Sequence, residues 1–219
     1  MKKLIIGIGT GRCGTNTLSH LLGKQKNCMV EHESKPILPW EFSKNKIDNK
    51  LKSLKNCNAE TVGDIAMYYL PYIKYILSNY KNVKVIALKR DKNEVVRSFL
   101  QKTEGTNHWM EHDGKKWKFA EFDRSFPKFK AETKEEAIRL YWDHYYKEVE
   151  KLLKEFPSKI KLYNMEESFN TKQGVESILN FAEIPGKNRI VVQELKKNYT
   201  KKGLRKIIAS IARKIKGLN

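Results

Sequence analysis

Acidic side chains, cysteines and long apolar runs are all scarce in this chain, and each shortage narrows what it can be. Only 25 Asp and Glu stand against 44 Lys and Arg, leaving a formal net charge of +19. Such an imbalance implies an anionic partner, whether nucleotide, acidic acceptor, nucleic acid or membrane surface. Lysine outnumbers arginine, so much of the charge reads as solvated surface. The three cysteines, Cys13, Cys28 and Cys57, are odd in number and form no Cys-x-x-Cys pair, which suits a reducing cytosol. No apolar run is long enough for a membrane-spanning helix, and the first residues enter a strand without a cleavable signal pattern, so the expected location is cytoplasmic. At 219 residues the chain suits one domain with a substantial core.

The most informative stretch is the first twenty-two residues. Leu4-Ile5-Ile6-Gly7-Ile8 reads as a buried strand. Gly9-Thr10-Gly11-Arg12-Cys13-Gly14-Thr15-Asn16-Thr17 follows, and Leu18, Leu21 and Leu22 then take helical spacing. A strand, a glycine-rich turn and a helix start in succession make an anion cradle, because backbone N–H groups converge and the helix dipole favours negative charge. Gly9, four residues and then Gly14 is P-loop spacing. A nucleoside triphosphatase would continue with Lys and then Ser or Thr. That lysine is missing: Thr15 and Asn16 occupy the two places, and the cation sits inside the loop at Arg12. The pattern argues against ATP or GTP hydrolysis and asks for another phosphate-like ligand.

On these residues the chain resembles the sulfotransferase family. Its 5′-phosphosulfate loop carries Lys or Arg, a small residue, Gly and then Thr or Ser; Arg12-Cys13-Gly14-Thr15 fits, with Cys13 where Ser is usual and Asn16 where a second hydroxyl often stands. The family's second motif is an Arg after a later strand, with Ser eight residues on. Val83-Lys84-Val85-Ile86-Ala87-Leu88-Lys89-Arg90, followed by Asp91 through Arg97 and Ser98, has that spacing. The resemblance spans roughly residues 3–185. It implies a three-layer, P-loop-like α/β fold with a mostly parallel central sheet flanked by helices. Alternating short apolar runs and amphipathic helices give the same fold class independently. The resemblance further implies 3′-phosphoadenosine 5′-phosphosulfate (PAPS) as donor and no metal. Gly11, Arg12, Cys13, Gly14, Thr15, Asn16 and Thr17 would then hold the donor's 5′ end, and Arg90 with Ser98 its 3′-phosphate. Arg12 would also serve catalysis.

Along the rest of the chain, Cys28-Met29-Val30 reads as a second strand ending at Glu31-His32-Glu33. In open α/β sheets this edge carries the ligand crevice. Glu33 and His32 are the candidate general bases, with a solvated turn as the plain alternative; Lys35 adds charge at the same mouth. Residues 34–58 are polar, and Trp40 and Phe42 are the packing anchors. Residues 59–63 form a further strand with Asp64 at its end, read as a helix cap more readily than as a substrate contact. Residues 68–77 read as a helix with an aromatic core face, and 83–88 as a central parallel strand. Residues 103–131 alternate aromatic and basic side chains without a period and read as an insertion covering donor and acceptor. His108-Trp109-Met110-Glu111-His112 matches an inverted zinc-protease pattern, but Gly105 and Asp113-Gly114 bracket it where the pattern needs a helix.

Residues 132–156 form a long amphipathic helix, 160–164 the last strand, and 174–182 a short helix. Met165 stands where the resembled family often places an adenine-contacting Tyr. The α/β domain is thus expected over 1–186, followed by a basic amphipathic helical tail over 187–219 suited to an anionic membrane surface or to docking on the domain. The acceptor, whether carbohydrate, lipid or small molecule, is not encoded in any motif, and nucleic acid is disfavoured as a partner. Two rival readings stand beside sulfuryl transfer: a P-loop nucleotide kinase or NTPase, and a non-catalytic polyanion-binding protein.

Overall fold

Five short strands, each rich in aliphatic residues, assemble into one sheet in the computed structural model, which describes residues 2–185. They are β1 Lys3–Ile8, β2 Cys28–His32, β3 Thr61–Ile65, β4 Val83–Lys89 and β5 Ile160–Asn164. Their order is β2-β3-β1-β4-β5, and every ladder is parallel. Parallel neighbours need crossover connections. These are α1 Thr15–Gly23, α2 Lys44–Lys55, α3 Ile73–Asn79, α4 Lys92–Lys102 and α5 Lys134–Glu155; α6 Met165–Asn170 and α7 Lys172–Phe181 follow the last strand.

The period of two along the strands sorts the helices into layers. Leu4, Ile6 and Ile8 of β1 enter one core with Ile47 and Leu51 of α2, Ile76 of α3, Phe99 of α4 and Val149 of α5. Ile5 faces the other way, onto Leu18, Leu21 and Leu22 of α1 and Val175, Ile178 and Leu179 of α7. Each fully buried Leu or Ile contributes about 1.5–3 kcal/mol, so both helical layers are held chiefly by these faces. The three-layer α/β architecture expected from the sequence is the one observed.

Three local expectations need correction. The polar stretch 34–58 contains α2, whose apolar positions Ile47, Leu51 and Leu54 keep helical spacing among lysines. Residues 68–77 do not form one helix: a 3₁₀ turn over Met67–Tyr72 contains Pro71, and α3 begins only at Ile73. Asp64 is no helix cap; it lies within β3 and is fully buried. Within 103–131 the one helical element is a 3₁₀ turn over Glu121–Ser125, so His108, Glu111 and His112 share no helix face. Instead Trp109 and Phe126 bury themselves against Phe99 and Tyr141. Among the described residues no helix is long and apolar enough to cross a membrane. The basic tail expected over 187–219, and with it the membrane-surface contact, lies outside the described residues.

Candidate functional site

The C-terminal ends of β1, β2 and β4 deliver the predicted site residues to one edge of the sheet. From β1 the chain enters the glycine loop, where Gly11, Arg12 and Gly14 have φ of 81°, 58° and 91°. This left-handed region favours glycine, and turns that use it are where successive backbone N–H groups can converge on one anion. At Gly9 a Cβ would stand 2.4 Å from Cys13 Sγ and 2.9 Å from the Leu88 carbonyl oxygen, so only glycine fits beside β4. Gly14 caps α1 without a side-chain hydrogen bond, and no acidic residue stands in that helix's first turn. The positive end of α1 is therefore left open to an external anion.

Three tyrosines of α5 hold the base of this loop. Tyr145 accepts from the Gly9 N–H at 2.9 Å, Tyr141 donates to the Thr10 carbonyl at 3.0 Å, and Tyr146 donates to the Leu88 carbonyl at 2.8 Å. Burial drives all three hydroxyls well above the usual tyrosine pKa, which keeps them protonated. Cys13 also points inward. It is fully buried and its thiol is pushed up to about 11 by burial, so only its backbone faces the concavity.

Arg12 is the joint between the two sequence motifs. Its exposed side chain donates from Nε to Ser98 Oγ of α4 at 2.9 Å, while its carbonyl accepts from Arg90 Nη1 at 3.1 Å. Arg90 reaches further, with Nε to Glu166 Oε1 at 3.3 Å and Nη2 to Glu94 Oε2 at 3.2 Å. Arg90 and Ser98 thus meet through Arg12. Asp91 accepts from the Glu94 N–H and caps α4, fixing the helix that carries Ser98. Thr15 is buried beside the loop, Thr17 is half-buried and Asn16 is exposed. Met165, at the start of α6, lies against Gly14: a Cβ there would meet Met165 Cγ at 2.8 Å.

The two candidate bases stand on the other side of the loop. His32 Nε2 lies 3.0 Å from Thr15 Oγ1, so the β2 end is hydrogen-bonded to the first residue of α1. His32 Nδ1 is 3.9 Å from Glu33 Oε2. Burial lowers the His32 pKa, with the Asp64 carboxylate pulling the other way. Burial and then Asp64 raise Glu33, against the Arg12 guanidinium. Glu33 itself sits at φ 52°, so its carboxylate is placed by a backbone turn that few non-glycine residues adopt.

A buried ion pair anchors the segment after Glu33. Lys50 Nζ of α2 lies 3.3 Å from Asp64 Oδ2, with the two side chains 1% and 0% exposed. Asp64 also accepts from the Ser34 N–H at 3.1 Å and from Tyr68 and Tyr69 at 3.2 and 2.9 Å. Lys50 donates to the carbonyls of Ser34 and, at 2.9 Å, Pro36. Both carboxylate oxygens and the ammonium are hydrogen-bonded, which is what a buried pair needs to be tolerated. Sequence reasoning missed this pair and the three tyrosine braces. Their signals were faint: a lone Lys on the apolar stripe of α2, and hydroxyls on a core-facing helix stripe that must find acceptors.

No family model matches the chain, and no curated protein matches it. Among solved structures it is similar to the crystal structure of a sulfotransferase from Alicyclobacillus acidocaldarius, with a TM-score of 0.57 at 16% identity over 92% of this chain and 90% of that one. The two share a fold. At this identity the likeness concerns the course of the backbone and leaves the chemistry to the residues of this chain.

Proposed function

We propose that this chain transfers a sulfuryl group from PAPS to a hydroxyl or amine of an acceptor. The observation that carries the reading is the meeting of both motifs on Arg12, whose side chain is held by Ser98 and whose carbonyl is held by Arg90. The surroundings fit an anionic donor. The loop is left-handed at Gly11, Arg12 and Gly14, Gly9 has no room for a Cβ, and the first turn of α1 has no acidic occupant. In this reading the N–H groups of residues 11–17, with the Thr15 and Thr17 hydroxyls, hold the 5′-phosphate, and Arg90 with Ser98 holds the 3′-phosphate. PAPS, when bound, supplies the transferable sulfuryl group and a bisphosphate leaving group.

Arg12 then stands where negative charge develops, on the sulfuryl oxygens and the departing bridging oxygen. A fixed cation at that place acts mainly on the transition state, commonly the largest single contribution to catalysis. Its hydrogen bond to Ser98 limits the rotamers of a long exposed side chain, so little reorganisation is needed. His32 or Glu33 takes the acceptor's proton. Burial holds His32 below its ordinary pKa and thus neutral near pH 7, able to accept at one ring nitrogen. Glu33 lies within electrostatic reach of Arg12, which favours its ionised form against burial. The test is release of adenosine 3′,5′-bisphosphate from PAPS in the presence of an acceptor panel, with mass analysis for the sulfated product. Turnover that survives Arg12→Ala overturns the role given to Arg12; Mg²⁺-dependent ATP turnover in its place overturns the reading altogether.

A further inference from the structure

Two residues beyond Glu33 the chain enters a cleft of about 600 Å³ that the transfer chemistry does not use. One wall is the segment carrying Lys35, Ile37 and Pro39, and the other is the 3₁₀ turn carrying Glu121 and Arg124; Lys46 of α2 closes the rim. Two residues of extended chain span at most about 7 Å, so the backbone of Lys35, at the cleft's wall, lies within that distance of the backbone of Glu33. Its walls are bonded to each other and to the buried pair: Trp40 N–H donates to the Arg124 carbonyl at 2.7 Å, Ser125 Oγ to the Leu38 carbonyl at 2.9 Å, and Lys50 Nζ to the Pro36 carbonyl. The cleft is therefore formed before anything binds, as small-molecule sites usually are.

Its charge is one-sided. Three cations and one carboxylate line it, and that carboxylate, Glu121, is spent on Lys35 at 2.7 Å in an exposed pair of little strength. Lys46 and Arg124 are exposed and make no ion pair among the described residues. Free cations beside a wall that carries Ile37 and Pro39 suit a molecule with an acid at one end and a less polar body.

We propose that the acceptor carries an acid group, carboxylate or phosphate, which Lys46 and Arg124 seat in this cleft so that its hydroxyl or amine reaches the base at the end of β2. The inference rests on the sulfuryl-transfer reading and adds to it the class of acceptor. The cleft's size favours a small molecule or a chain end over an extended nucleic-acid strand.

Matched pairs test it. Ligand-observed NMR on the full chain, with adenosine 3′,5′-bisphosphate present and absent, compares 4-hydroxyphenylacetate with its amide, glucuronate with glucuronamide, and glucose 6-phosphate with glucose. The acid of at least one pair should bind about tenfold more tightly than its neutral partner, the gain expected of one charge-assisted contact. The pairs distinguish carboxylate from phosphate. Lys46→Glu with Arg124→Glu should bring that ratio close to one, while the thermal stabilisation by the bisphosphate stays unchanged. Equal binding within every pair, no binding by any, or a preference that survives the double charge reversal would overturn the proposal. If the bisphosphate fails to stabilise the protein, the transfer reading falls, whatever the cleft binds. Bisphosphate binding without any acid preference removes only the acceptor class.

Discussion

Replacing Lys50 with Met tests how the sheet edge that carries the two candidate bases is held in place. Met follows the lysine stem through the core but leaves Asp64 as a carboxylate that is 0% exposed, with its cation gone from 3.3 Å. Breaking a buried ion pair by removing one partner costs about 3–5 kcal/mol. Asp64 keeps three donors, from Ser34 N–H, Tyr68 and Tyr69, so the lower end, about 3 kcal/mol, is expected. The carbonyls of Ser34 and Pro36 lose their ammonium donor as well. Urea titration near pH 7 should show the midpoint falling with an unchanged slope, and the melting temperature of a chain this size should drop by about 6–12 °C. Asp64→Asn added to Lys50→Met should recover part of the loss, because two neutral groups then share the space. A loss below about 1 kcal/mol, or a double variant worse than the sum of its parts, would refute the view that this pair is a satisfied anchor.

Four further outcomes follow from the same geometry. Arg12→Ala should lower kcat by about 10²–10³ while adenosine 3′,5′-bisphosphate affinity, measured by calorimetry, changes little; equal losses in both would make Arg12 a simple binding residue. Burial raises the folded pKa of Glu33, so its contribution to stability is full below the unfolded value and is lost as pH rises through the folded one. Glu33→Gln should therefore gain stability relative to the parent in urea titrations at pH 8 but not at pH 4, and a gain confined to acid would show the sign to be wrong. Gly9→Ala forces a Cβ onto the Leu88 carbonyl and Cys13 Sγ, and unfolding should register about 1–3 kcal/mol of overpacking. Ellman titration of the folded protein at pH 8 should leave Cys13 unlabelled, since a thiol at about 11 is buried and only about 0.1% thiolate there; rapid labelling would mean that its side chain faces the concavity.

Legibility in the sequence tracked how locally each feature is encoded. β1, the glycine loop, α1, β4 and α5 were readable because periodicity and turn residues lie within one stretch. The Arg12 and Arg90–Ser98 motifs were readable for the same reason, and the sheet then brought both to one edge. What was hidden depended on direction. That Cys13 faces the core follows from the left-handed turns at Gly11, Arg12 and Gly14, which no composition reveals. α2 was masked by its lysines, because three apolar positions in twelve residues leave the stripe weak. Asp64 at the end of a strand looks the same in sequence whether it caps a helix or meets a buried ammonium; only the docking of α2 decides between them. The tyrosine braces of α5 read as an apolar stripe, since their hydroxyl partners lie over 50 residues away, in the glycine loop and β4.

The central claim is that this edge binds a bisphosphorylated adenosine donor, and a thermal-shift titration with adenosine 3′,5′-bisphosphate tests it most directly, run beside ATP–Mg²⁺ and adenosine 5′-monophosphate. A ligand that binds only the folded state raises the melting temperature by mass action, by about 2.7 kcal/mol of stability at a hundredfold excess over its dissociation constant. The account predicts stabilisation by the bisphosphate above both other nucleotides, lost in Arg90→Ala. No shift with the bisphosphate, or a larger one with ATP–Mg²⁺, would contradict it and put a P-loop kinase in its place.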